Sequence, residues 1–246
     1  MAAACPWTYR EHVATVTSAQ RRAPKTGRAS SSVFKKAVMA VSGIILVLYL
    51  IAHMIGNLKA FAGAETFNHY SEWLRTIGEP AVPAQTVLWI IRVVLLVAVF
   101  AHMWAAFSLW KQARAARPVR YVTKKPVQQS YASRTLRWGG VIILLFIIWH
   151  ILDLTFGTVN SAGADSTPYE RLIASFTNPF VTAFYILALL LLGMHLRHGL
   201  WSAVQTLGQS NKRRERSLNV FATVFAVVLT GGFLLTPVFV LFGVID

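Results

Sequence analysis

Five stretches of the chain are apolar at nearly every position: Val33–Leu58, Thr86–Trp110, Leu136–Phe156, Pro179–Leu207 and Leu218–Val244. Each exceeds the roughly 20 residues with which an α-helix crosses about 30 Å of hydrocarbon. The apolar positions run round every face instead of gathering on one stripe, which suits a lipid-facing bundle better than an amphipathic surface helix. The pattern predicts an all-α polytopic membrane protein, a bundle of five transmembrane helices at 33–58, 86–110, 136–156, 179–207 and 218–244. Residues 1–32 are polar and basic and read as a cytoplasmic tail ahead of a membrane domain spanning 33–246. The polar lead-in to the first run, with no small-residue cleavage motif behind a short apolar core, argues against a removable signal peptide.

Composition agrees with this reading. Of 246 residues, 55% are hydrophobic and 13% charged, an apolar content that has to be hidden from water in lipid. The net charge of +15 raises nucleic acid as a partner, and its distribution removes it. Basic residues collect before the first run (Arg10, Arg21, Arg22, Lys25, Arg28, Lys35, Lys36), between the second and third (Lys111, Arg114, Arg117, Arg120, Lys124, Lys125, Arg134, Arg137) and after the fourth (Lys212, Arg213, Arg214, Arg216). The other side carries Lys59, Arg75 and Arg171 against Glu65, Glu72, Glu79, Asp165, Glu170 and Asp246. This asymmetry predicts a cytoplasmic N-terminus and a C-terminus outside, and a basic face suited to anionic lipid or an acidic docked protein. The single cysteine, Cys5, excludes an internal disulfide and a four-cysteine cluster site.

Five of the seven histidines fall inside the runs: His53, His102, His150, His195 and His198. Ionisable residues are costly in hydrocarbon and mark functional sites or satisfied packing positions. Helical rise and the predicted orientation assign depths. His53 comes late in the first, outward helix and His150 late in the third, so both belong to the outer half. His102 and His195 lie well along the inward second and fourth helices and belong to the inner half. The result is two pairs, each drawn from two helices, separated by roughly 15–20 Å along the membrane normal. Two facing imidazoles suit the two axial positions of a haem iron. Zinc needs four ligands at one level, and a proton relay needs ionisable groups strung from side to side, whereas the only acid inside a run is Asp153. Ser42, Gly43, Gly56, Gly139, Gly140, Gly193 and Gly199 flank these histidines and suit either a porphyrin face or close helix packing. Arg92 and Arg197 are embedded in runs, suited to haem propionates or to snorkelling toward headgroups.

On these residues the chain resembles the five-helix, single-polypeptide cytochrome b membrane-anchor subunit of succinate dehydrogenase and fumarate reductase, the kind that holds two haems. The carriers are Ser42-Gly43 leading to His53-Met54, then His102, His150, and His195 followed by Gly199-Leu200 and Gly208. The resemblance covers nearly everything after the tail. It implies haem b at two levels, with His102 and His195 at the proximal iron, near an iron–sulfur subunit, and His53 and His150 at the distal one. Counting back from Gly208 in the family's manner favours His195 as ligand over its neighbour His198, which is left for a propionate, a quinone or packing. It further implies a flavoprotein partner that carries the dicarboxylate chemistry, membrane quinone (menaquinone or ubiquinone) as electron partner, and a bacterial cell membrane as location. The sequence agrees in holding neither a dinucleotide glycine motif nor a cysteine framework.

Candidate quinone-binding groups are Ser31, Lys35, Arg197 and Trp201 on the inner side and His69, Tyr70 and Glu72 on the outer, all of which also suit an ordinary interface. Three alternatives share some of these features. A His-ligated iron–sulfur cluster would need further ligands from a partner. The haem subunit of another quinone-linked dehydrogenase shares the bis-His physics. A proton-coupled transporter would need mid-membrane helix breaks, of which Pro237 and Gly231-Gly232 are the only hint.

Overall fold

The structure, a computed structural model, describes residues 31–116, 129–206 and 212–246. Cys5, the tail before Ser31, the basic residues Arg117, Arg120, Lys124 and Lys125, and Gly208 lie outside the described residues. Among the described residues every regular element is helical. Five helices are long and apolar enough to cross a membrane: α1 (Ser32–Leu58), α3 (Thr86–Ala115), α4 (Gln129–His150), α6 (Pro179–Thr206) and α7 (Lys212–Leu241). Two shorter ones lie between them, α2 (Ala64–Thr76) and α5 (Pro168–Thr177).

The observed boundaries depart from the hydrophobic runs where polar residues continue a helix. α4 begins at Gln129 and α7 at Lys212, ahead of their apolar stretches, and in α7 the lead-in is Lys, Arg and Glu, good helix formers that extend a span into the headgroup zone. α7 stops at Leu241, before Gly243 with its positive φ of 67°. The third span ends differently from the run that predicted it. Regular α geometry stops at His150, and Ile151–Thr155 form a π-turn in which the Phe156 amide reaches back five residues to the Ile151 carbonyl at 2.9 Å.

α2 and α5 are too short to span and half polar, so they lie across one end of the bundle, hereafter the capped end. α5 starts on a capping box. Thr167 Oγ1 accepts the Glu170 amide at 3.3 Å, and the Glu170 carboxylate accepts the Thr167 amide at 2.7 Å, with Pro168 at the first helical position. Burial, and then the nearby Asp246 charge, lifts the Tyr169 phenol above its ordinary range, and its hydroxyl donates to the Asp246 carbonyl. Asn178 then caps α6, its Oδ1 accepting from the Phe180 amide at 3.0 Å. The opposite, basic end carries Lys35, Lys36, Lys111, Arg114, Arg214 and Arg216.

α6 packs closely on α7 and α1 on α3, while α4 rests against α6 and α1 against α7. Small residues permit the first and the last of these. A Cβ on Gly193 would stand 2.5 Å from Thr230 Oγ1, and Met54 of α1 occupies the space over Gly232 of α7. Leu189, Leu196, Ala226, Leu229 and Phe233 fill the α6–α7 seam. A second cluster, including Phe67, Tyr169, Leu172, Phe176 and Tyr185, knits α2 and α5 to the bundle at the capped end.

Candidate functional site

Helical rise brings the buried histidines together in two places. His53 of α1 and His150 of α4 face each other with ring centroids 5.7 Å apart and planes at 88°. His102 of α3 and His195 of α6 do so at 6.1 Å and 60°. His198 makes no ring contact with His102 among the described residues; it lines a small pocket with His195, Leu136, Leu191 and Met194. Rise along the helices gives the separation of the two levels. At about 1.5 Å per residue, Ser42, which touches His102, lies about 16 Å from His53, and Tyr185, which touches His150, lies about 15 Å from His195.

Neither α1 with α4 nor α3 with α6 is among the helix pairs in extensive contact. Each histidine pair therefore bridges an interval between helices instead of a packed seam. An imidazole nitrogen binds a metal at about 2 Å, so two rings on opposite sides of one iron stand about 6 Å apart between centroids. Both observed separations match that value. Among the described residues no three His, Cys, Asp or Glu side chains gather at one point. A metal that carries further ligands of its own would need no more than the two imidazoles that meet at each level.

The two levels are supported in different ways. His102 Nδ1 lies 3.2 Å from the Met39 carbonyl and 3.3 Å from Ser42 Oγ. A carbonyl only accepts, so Nδ1 carries the proton and Nε2 presents a lone pair. Ser42 itself donates to the Val38 carbonyl at 2.7 Å, which fixes its oxygen toward the imidazole. Gly43 faces the same ring, its absent Cβ lying 3.5 Å from His102 Cε1, and Gly140 faces His195 at 3.8 Å. His150 and His195 each hold a buried Nδ1 with no hydrogen-bond partner, a costly arrangement in an apolar bundle that a metal bond would relieve. His53 is clamped by aromatic rings, stacked on Tyr49 at 5.2 Å and tilted against Phe233 at 5.8 Å. Phe146 and Tyr185 hold His150 at 5.7 and 5.9 Å.

Other expected site residues are placed less uniformly. Gly56 and Gly193 serve helix packing, against Tyr70 and Thr230, while Gly139 and Gly199 face open space. Arg92 is exposed, its guanidinium over Trp89 at 5.0 Å. Arg197 Nε donates to Thr223 Oγ1 at 2.9 Å and ties α6 to α7. At the basic end Lys35 is buried and the Ser31 carbonyl accepts its amide, but no hydrogen bond or ring contact among the described residues joins either to Trp201. At the capped end His69 and Glu72 are exposed, and only Tyr70 reaches the bundle, packed on Gly56 with Lys59 Nζ 5.1 Å over its ring.

One cluster escapes a reading of the sequence. Asp153, in the π-turn just past His150, is buried and accepts from Tyr185 Oη at 2.7 Å, Ser175 Oγ at 2.8 Å and Asn160 Nδ2 at 2.8 Å. A buried carboxylate demands such donors, yet nothing in a single sequence says that they come from a loop, α5 and α6. α5 did leave a signal, the Thr167-to-Glu170 spacing of a capping box.

Residues 111–233, half of the chain, match the family described as succinate dehydrogenase/fumarate reductase transmembrane subunit. The chain belongs to this family. The subunit is also similar to the succinate dehydrogenase cytochrome b558 subunit of Bacillus subtilis (strain 168), at 23% identity over 187 residues covering 76% of this chain and 85% of the relative. No solved structure matches it. The matched region begins in the basic end of α3 and holds His150, His195 and His198, whereas His53 and His102 precede it. The subunit is thus a multi-pass membrane anchor of a succinate dehydrogenase or fumarate reductase.

Proposed function

We propose that the anchor subunit conducts electrons between the soluble subunits and membrane quinone through two haem b groups, one held by His102 and His195, the other by His53 and His150. The observation that supports this most strongly is the meeting of four imidazoles from four helices as two pairs, 6.1 and 5.7 Å apart, across intervals the helices leave open. The relative's name, a cytochrome, points the same way. Haem so bound supplies a reversible one-electron carrier at each level. The chain's own part is to offer the lone pairs, exclude water and fix the ring planes. Ser42 and the Met39 carbonyl do this for His102, and Tyr49, Phe233, Phe146 and Tyr185 for the other pair.

The positive-inside rule makes the basic end cytoplasmic. That end would receive the iron–sulfur subunit and, through it, the flavoprotein that oxidises succinate or reduces fumarate, in a bacterial cell membrane. The His102–His195 level is then the proximal one. Menaquinone or ubiquinone would bind beside Tyr70 and Lys59 at the capped end, or between Lys35 and Trp201 at the basic end. A pyridine haemochrome assay on the purified complex tests the ligand assignment. The wild type should give two haems per anchor, and His53→Ala and His102→Ala one each. Haem content unchanged in both variants would overturn it.

A further inference from the structure

His102 is oriented by hydrogen bonds, whereas His150 has a buried Nδ1 with no partner. Its plane is therefore fixed by what packs against it, and the rings that do so are His53, Phe146 and Tyr185. Of these, Tyr185 alone is anchored at its far edge. Its hydroxyl donates to Asp153 Oδ2 at 2.7 Å, and Phe146 and Phe176 confine the ring edge-on, each at 5.0 Å.

Asp153 is held in turn. Ser175 Oγ lies 2.8 and 2.9 Å from its two oxygens, and Asn160 Nδ2 spans Asp153 Oδ1, Ser175 Oγ and the Arg171 carbonyl at 2.8, 2.8 and 3.0 Å. Because the Asn160 amide occupies the Ser175 oxygen, the Ser175 hydrogen turns to the carboxylate. Three donors thus converge on a group that is 2% exposed, the pattern that suits a carboxylate anion. Arg171, also buried, donates from its Nη1 to the Ala164 carbonyl in the loop at 3.2 Å.

We propose that Asp153 is a positioning residue for the His53–His150 centre: it tethers the Tyr185 ring, and the ring sets the His150 imidazole plane. This rests on the haem reading above. The relative orientation of two axial imidazole planes governs the low-spin ferric signal of a bis-His iron, and hydrogen bonding and charge around it tune its potential. A carboxylate near the iron favours the oxidised state.

The test is redox titration and electron paramagnetic resonance of the membrane-bound complex for wild type, Asp153→Asn, Tyr185→Phe and the double variant. The component lost in His53→Ala serves as the marker. Tyr185→Phe keeps the ring and removes only the tether, so the fold survives even if Asp153→Asn disturbs it. Expected are two haems retained, a changed ferric signal of the marked component in both single variants, an upward shift of its potential in Asp153→Asn, and no further signal change in the double variant. The other component should stay where it is. An unchanged marked signal in Tyr185→Phe, or equal shifts of both components, would overturn the proposal. Wild-type complex without haem would instead overturn the reading it rests on.

Discussion

At the scale of single residues, the four paired histidines could be found from the sequence because two regularities suffice. A constant rise per residue fixes depth, and alternating helix direction decides which end depth is counted from. What surrounds each imidazole is not legible there, since the groups that touch the rings come from positions with no fixed spacing. In the sequence Ser42 is a small residue and half of the Ser42-Gly43 pair that carries the resemblance; only the structure shows its hydroxyl 3.3 Å from His102 Nδ1. Losing a partner of this kind lowers metal affinity about 10- to 100-fold. The Met39 carbonyl remains in Ser42→Ala, so haem retention at the His102–His195 level should fall by about tenfold, the lower limit. Haem-loss kinetics to an apo-globin trap would measure it. Gly43, which faces the same ring with nothing else within 4 Å, should tolerate alanine.

At the scale of helices, hydrophobic runs located all five spans and misjudged their ends, because basic residues prolong α3 and α7 without adding apolar character. The glycines divide according to neighbours that composition does not reveal. Gly193→Leu would force a side chain into Thr230 of α7 and cost about 1–3 kcal/mol. Gly139→Ala, in open space within α4, should be neutral or stabilising by up to about 1 kcal/mol. Thermal unfolding of the two variants in detergent, followed by circular dichroism, separates these outcomes. α5 responds to acid. The Thr167 backbone amide, then its hydroxyl, holds the Glu170 carboxyl below its ordinary 4.5, so its contribution is present above that value and lost as pH falls through the lower folded pKa. Protection of the Thr167, Glu170 and Arg171 amides, measured against their intrinsic exchange, should fall as pH drops below 4.5 through the lowered folded value, and Glu170→Gln should abolish that pH dependence.

At the scale of the whole molecule, the chain is asymmetric from end to end. One end is covered by two helices and carries the acidic residues of α2 and α5; the other bears the lysines and arginines of α1, α3 and α7. Single cysteines at Glu72 and at Arg214 in a Cys5→Ser background should divide under an impermeant maleimide applied to whole cells. The first should label and the second should not, and the reverse would invert the proposed topology. Charge counting makes the asymmetry of the two ends legible in the sequence, while the cap itself is hidden there because α2 and α5 are too short and too polar to register as runs. The π-turn at the foot of that cap works as an angular offset. Deleting Leu152 would shorten the span by about 1.5 Å and leave its hydrophobicity ample, yet would swing the following carboxylate by about 100° about the axis. A length change that the bilayer would scarcely register would leave Tyr185, Ser175 and Asn160 with nothing to hold, so this stretch of the chain should admit substitution far more readily than insertion or deletion.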